Sequence, residues 1–253
     1  HISDFLDSLK RTGSSESKVH KCRTMLIQIF DAAAANDLVD KNPGRLAKAT
    51  RCPFDQEESS KDAFTNKEIS LLMTRLSDDL LGNSIRTMLG TGIRVQELLA
   101  LRPCDIAADG SSIRIDKAIK MVDGRPVLGP PKSKRSKRII PVPEAYRIYA
   151  KAIREEGGQA FIWSSRRDSL LYSVGTFRNR FYKEIEKIPG VRKLSPHCCR
   201  HTYVTVLQAK GVPMETIAAL AGHSDIKTTA GYLHQSADTL AKAVEVLNGK
   251  AAS

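Results

Sequence analysis

Apolar residues recur at helical spacing over most of this chain, and only its middle switches to strand-like alternation. Residues 2–9 and 17–36 follow the helical pattern, with Val19, Cys22, Leu26, Ile29, Phe30 and Ala33 on one stripe until Asn42-Pro43-Gly44 breaks it. Lys18, Lys21 and Arg23 lie largely off that stripe, which sets a basic face opposite the packed one. Thr65-Asn-Lys-Glu68 has the form of a capping box, and Ile69, Leu72, Met73 and Leu76 follow at helical spacing. Another helix runs toward Gly90, and a third carries Arg94, Glu97, Leu98 and Leu101 as far as Pro103, with Arg94 and Glu97 on one face. The period then falls to two: residues 112–119, 125–128 and 137–142 predict short strands of a small antiparallel sheet. Helices return over 144–155 and 174–188, after Ser195-Pro196, and over an amphipathic close at 237–247, where Leu240, Val244 and Leu247 align. Phe161-Ile-Trp163 is a short apolar run suited to a core. The fold class expected is mainly α with a small antiparallel β-sheet (α+β).

Between the first helices and the capping box, residues 53–62 are polar and almost free of apolar side chains, as in a linker. The organisation expected is a helical domain over 1–54, a linker over 55–61 and a larger domain over 62–253. The 253 residues suffice for two cores.

Charge narrows the partner. Lys and Arg number 40 against 28 Asp and Glu, and the resulting +12 favours a polyanion, nucleic acid first. Five of the seven residues from Lys132 to Arg138 are basic: Lys132, Lys134, Arg135, Lys137 and Arg138. Placed between two strands, they suit a phosphate clamp. The cysteines at 22, 52, 104, 198 and 199 are odd in number and lack the spacing of a disulfide framework or zinc ribbon, which fits a reducing cytoplasm. No apolar run approaches the roughly 18 residues of a membrane span, so no membrane partner is expected.

The densest chemistry lies between Leu194 and His234. Ser195 is a suitable helix cap and Pro196 a suitable first residue, which places His197 in the first turn and Arg200 three residues on, along one face. A helix start bearing a histidine and an arginine is suited to an anion such as phosphate. Gly222 ends a second short helix and delivers His223, and Tyr232 falls on a third.

His197-x-x-Arg200-His201, Leu-Ala-Gly-His223 and Tyr232 resemble the C-terminal signature of tyrosine recombinases of the phage-integrase type, including integrases of phages and conjugative transposons. Thr91-Gly-Ile-Arg94-Val-Gln-Glu97 and Pro130-Pro-Lys132 extend the likeness upstream, in the family's order, over roughly the whole chain. Cys198-Cys199 stands where the family more often has a polar residue and leucine. The resemblance implies a catalytic domain, preceded by a core-binding domain that lacks its first helix, and a C-terminal exchange helix at 237–248. It implies a site-specific recombinase of a mobile element that cleaves and rejoins duplex DNA through a covalent 3′-phosphotyrosine. Tyr232 would be the nucleophile, Arg94 and Arg200 would grip the non-bridging oxygens, and Lys132, with Lys134 in reserve, would be the general acid. His197 would take the tyrosine proton or hydrogen-bond a phosphate oxygen, and His223 would donate a further hydrogen bond to the transition state. Glu97 and His201 would support them. Lys18, Lys21, Arg23, Lys134, Arg135, Lys137 and Arg138 would contact DNA. The implied partners are duplex DNA, a homotetramer on it and accessory DNA-bending proteins, in a bacterial cytoplasm, with no cofactor and no metal.

Three other readings compete. His197 and His201, at i and i+4, suggest a zinc helix, but it lacks the general-base glutamate, and Arg200 would repel a dication. The helix-glycine-helix rhythm of 214–233 suggests a non-catalytic helix-turn-helix regulator, which leaves Arg94, Lys132 and His197 unexplained. A type IB topoisomerase would share the chemistry.

Overall fold

The computed structural model describes residues 1–46, 63–131, 137–158, 160–164, 171–222, 240 and 243–248. The chain divides into two compact units, His1–Ser60 and Lys61–Ser253.

In the first unit, α1 (Ile2–Arg11) turns at Gly13, φ 78°, into α2 (Glu16–Ala35), and one turn, α3 (Pro43–Leu46), follows. Asn42 fastens the last turn to α2. Its Nδ2 donates to Ile27 O at 2.8 Å and Asp31 Oδ1 at 2.7 Å, while its Oδ1 accepts from Gly44 N at 2.8 Å. Leu6 and Val19 are buried, but Ile29, expected in the packed stripe, is 58% exposed. Its face of α2 is not covered by α1 or α3. Lys18 and Lys21 are exposed, whereas Arg23 is half-buried and has an interaction partner.

The second unit is built on α5 (Leu80–Thr91), of which residues 81–91 are all buried. Helices α7 (Glu144–Glu156), α8 (Val174–Glu186) and α9 (His197–Ala209) pack against it. Burial on every side forces its polar side chains to find internal partners. Thr87 Oγ1 donates to Asn83 O at 2.8 Å, and Ser84 Oγ accepts Trp163 Nε1–H at 3.0 Å. Trp163 is core, as its apolar run predicted. Arg86 reaches the end of α4 (Asn66–Arg75), donating to Met73 O, Leu76 O and Ser77 O at 3.2, 2.7 and 3.0 Å.

At the other end of α4 the capping box forms as its sequence predicts. Glu68 N donates to Thr65 Oγ1 at 3.3 Å, and Thr65 N donates to Glu68 Oε2 at 2.7 Å. Arg192 adds a fork to the same buried carboxylate, Nε to Oε1 at 2.8 Å and Nη2 to Oε2 at 2.9 Å. The Arg192 hydrogen bond, helped by those from Thr65 against the cost of burial, brings the Glu68 carboxyl from 4.5 to about 2. A carboxylate lowered on folding stabilises the native state above its unfolded value, and that contribution drains away as pH falls from about 4.5 to about 2. Glu68→Gln is therefore expected to lose on the order of 1–3 kcal/mol at pH 7, allowing for screening of the half-exposed Arg192. It should also lose the steep part of the acid dependence over that window. Unfolding curves at pH 7, 4.5 and 2.5 measure both, and an unchanged slope in the variant would contradict the assignment.

The strands differ from expectation. Instead of one sheet, β1 (Ser112–Ile115) pairs antiparallel with β4 (Arg138–Pro141), and β2 (Ala118–Val122) with β3 (Arg125–Gly129), as two separate ribbons. The expected strand over 112–119 is cut at Asp116-Lys117. Lys117 Nζ turns in to Asp105 Oδ2 at 2.7 Å, and Asp105 is buried in the short 3₁₀ turn Pro103–Asp105. The β2–β3 turn, Asp123-Gly124, has positive φ at both residues (49° and 75°), the twist that suits a two-residue hairpin.

Helix α10 (Met214–Ala221) ends at Gly222 in the left-handed region, φ 67°. Of the 237–248 segment expected to serve exchange between subunits, the described residues lie on the unit's own core. Val244 and Leu247 are buried there, Leu240 packs beside them, and Asn248 Oδ1 accepts from Ala145 N at 3.1 Å.

Candidate functional site

The site is assembled where α5 stops. Gly92 takes a left-handed conformation, φ 62°, and a Cβ there would lie 2.5 Å from Cδ1 of Tyr203, so a side chain is excluded on two grounds. Its carbonyl accepts a hydrogen bond from Arg200 Nη1 at 2.9 Å. The chain then extends through Arg94 into the single turn α6 (Val95–Leu98). Arg94 is thus the residue before the helix, where a longer helix carrying both Arg94 and Glu97 on one face was expected. They meet all the same, because the Glu97 carboxylate caps its own helix start. Arg94 N donates to Glu97 Oε2 at 3.1 Å and Arg94 Nη1 to Oε1 at 2.8 Å. Arg94 Nη2 donates to Gly222 O at 2.7 Å, tying α6 to the end of α10.

Arg138 also turns inward. Its Nη1 and Nη2 fork onto Glu97 Oε1 and Oε2 at 3.1 and 2.9 Å, and its Nε donates to Leu220 O at 2.9 Å. Its side chain is 8% exposed, which corrects the expectation of a DNA-facing clamp residue. The reason is its buried carboxylate partner, unseen in a local run of basic residues. Lys137 beside it is exposed. Arg23, in the first unit, is half-buried.

Arg94 and Arg138 bond one carboxylate, Glu97, and Arg200 feels the charge of all three, so among the described residues of the site positive charge is in excess. Burial, then the charges of Arg94 and Arg138, push Arg200 down to about 9. Burial also pushes the Glu97 carboxyl upward, but the Arg138 hydrogen bond and charge, followed by Arg94, outweigh it and hold Glu97 below the usual range. Arg200 is 2% exposed, and its Nη2 has no hydrogen-bond partner among the described residues; nor has the buried Tyr203 hydroxyl one turn further along α9. A buried polar group left unmet costs about 1–3 kcal/mol, more when charged. Excess positive charge beside an unmet guanidinium N–H is the electrostatic form of an anion site.

Inorganic phosphate is therefore expected to stabilise the free protein. At ten times its Kd the gain is about 1.4 kcal/mol, or roughly 3–6 °C in Tm. Arg200→Met should stay folded and lose that shift, as thermal scans with and without phosphate will show. An equal shift in Arg200→Met would place the anion elsewhere.

The start of α9 is not as expected. Pro196 is the cap residue, with φ −55° and ψ −26° and no side-chain cap bond. Ser195 contributes its carbonyl to Cys198 N at 2.8 Å, and Cys199 N donates to Pro196 O at 3.2 Å. Those two amides are engaged within the turn, so the donors left for an anion are on arginine side chains rather than on those amides of the helix start. His197 is exposed at the first residue of α9, and its ring meets that of His201 edge-on at 4.7 Å. Lys132, Lys134, Arg135, His223 and Tyr232 lie outside the described residues. Tyr203 escaped sequence reading, and Arg138 was read as facing DNA. Tyr203 carried a signal, being three residues beyond Arg200 on one helix face; the inward turn of Arg138 carried none.

A model of the phage integrase family matches residues 63–239. A protein of Caldanaerobacter subterraneus subsp. tengcongensis, described as tyrosine recombinase XerC-like, is 27% identical over 98% of this chain and 70% of its own length. The ICEBs1 integrase of Bacillus subtilis is 28% identical over 90% of this chain and 64% of its own. Among solved structures, the Tn1549 transposon integrase in complex with a circular intermediate DNA matches with a TM-score of 0.70 at 20% identity, over 97% of this chain and 84% of that one. A lambda integrase dimer bound to a COC' core site matches at 0.62 and 17% identity, over 88% and 78%. At such identities the structural likeness speaks for the fold alone.

Proposed function

Because this chain belongs to the phage integrase family and is a tyrosine recombinase, we propose that it integrates or excises a mobile element by cutting and rejoining duplex DNA at specific sites. The observation that carries this reading is the buried Arg200, whose unmet N–H beside the positive charge of Arg94 supports a role in binding one phosphodiester. Arg94 and Arg200 bind its non-bridging oxygens. The Tyr232 oxygen attacks phosphorus, the bond to the 5′-oxygen breaks, and Lys132 gives that oxygen a proton, leaving a 3′-phosphotyrosine and a 5′-hydroxyl. With a reference pKa near 10, only about 0.1% of a tyrosine is ionised at neutral pH, so His197 accepts its proton or bonds the phosphate, and His223 adds a further bond. Attack by a 5′-hydroxyl reverses the sequence. One ester replaces another, so neither nucleotide nor metal is consumed. Lys18, Lys21 and Lys137 track the DNA backbone. Four copies assemble on two sites, where the 237–248 segment leaves the core of its own unit for that of a neighbouring copy, with bending proteins assisting, in a bacterial cytoplasm. DNA complexes among the structural relatives support the choice of partner.

The test is a randomised duplex library, nicked to trap covalent complexes, from which the captured sequence is placed twice on a supercoiled plasmid. Recombinant circles are expected. Relaxation without exchange would favour the topoisomerase reading, and retention without covalent capture the regulator.

A further inference from the structure

We propose that Arg138 is a positioning residue for DNA cleavage, holding Arg94 through their shared partner Glu97 and holding the end of α10 through the Leu220 carbonyl. This rests on the phosphate reading above.

Glu97 has two oxygens, and each is bonded by both arginines: Oε1 by Arg94 Nη1 and Arg138 Nη1, Oε2 by Arg94 N and Arg138 Nη2. A forked guanidinium fixes the plane of a carboxylate, which a lysine's single point of charge does not. With its plane fixed, Glu97 offers Arg94 one direction only. The second anchor of Arg94 is the Gly222 carbonyl, and here too Arg138 acts, because it holds Leu220 O two residues earlier. Both are carbonyls at a helix end that the helix cannot satisfy internally, and two arginines take them. Gly222 makes room, since a Cβ there would lie 2.9 Å from Arg138 Nη1. Arg138 is itself held by strand pairing, opposite Ile115 at the end of the β1–β4 ribbon. The rigid ribbon is thereby linked to both supports of Arg94. At 8% exposure Arg138 is poorly placed to touch DNA itself.

The experiment measures single-turnover cleavage of a nicked duplex carrying the captured sequence, by the full chain and by Arg94→Ala, Arg138→Met and the double variant. Arg138→Met is expected to slow cleavage about 10- to 100-fold with DNA affinity little changed. In the Arg94→Ala background the same substitution should cost less than about threefold, because its effect runs through Arg94. A methylphosphonate at the scissile position, neutral where the ordinary diester is charged, should shrink the Arg138→Met defect, as it shrinks the need for Arg94. Arg138→Lys, which keeps the charge without the fork, should remain at least tenfold impaired, and it runs in the same cycle should Arg138→Met melt below the assay temperature. Losses that multiply in the double variant, or full activity in Arg138→Lys, would overturn the proposal while leaving the phosphate reading intact. Full activity in Arg94→Ala would remove that reading, and this proposal with it.

Discussion

Lys132→Ala is expected to cleave ordinary DNA about 10²- to 10⁴-fold more slowly, yet to cleave a duplex with sulfur in place of the bridging 5′-oxygen at nearly the rate of the unaltered protein. The contrast follows from the leaving group. An alkoxide is a poor one and needs a proton as the bond breaks, whereas a thiol with a reference pKa near 8.5 departs as thiolate without help. A lysine that merely clamps phosphate would, when removed, slow both substrates alike and weaken binding. Equal losses on the two would therefore refute the acid role of Lys132. Rescue confined to Lys134→Ala would move it two residues along the chain.

The second large effect belongs to the arginines. Arg94→Ala and Arg200→Ala are each expected to lose about 10²- to 10³-fold in cleavage rate, the scale of a preorganised donor aimed at developing charge. Their costs to folding should differ. Arg94 is 27% exposed and paired with a carboxylate, so its removal leaves Glu97 still held by Arg138. Arg200 is buried with one N–H unmet while its Nη1 meets the Gly92 carbonyl, so relief of a buried charge offsets the loss of that bond, and the free protein should lose little stability. Rates on a nicked duplex with parallel thermal scans separate the two. A large loss of stability in Arg200→Ala would mean that the guanidinium holds the fold rather than the phosphate.

The helices were legible because one face of each is apolar: α4, with its capping box, and α7 stand almost where their patterns put them. Helix α5 was harder, since it is buried on all sides and carries Asn83, Ser84, Arg86 and Thr87 into the core, where internal partners replace amphipathic spacing. The ribbons were legible as short strands but not in their pairing, because β1 meets β4 across the whole stretch 116–137, and no local pattern records that register. Arg138 shows the same limit at the site. Within a run of basic residues its chemistry looked like its neighbours', and only the distant Glu97 and Leu220 turn it inward. Of the motif residues, Arg200 bonds the Gly92 carbonyl and Arg94 the Gly222 carbonyl, near enough that the charge of Arg94 lowers Arg200.

The covalent intermediate carries the central claim. The full chain, incubated with the nicked duplex, denatured and digested, should yield a nucleotide-bearing peptide whose modified residue is Tyr232, joined to the 3′ end of the cut strand and leaving a free 5′-hydroxyl. Tyr232→Phe should bind the same DNA with unchanged affinity and yield no adduct. An adduct that persists in Tyr232→Phe, maps to another residue or joins the 5′ end would contradict the account.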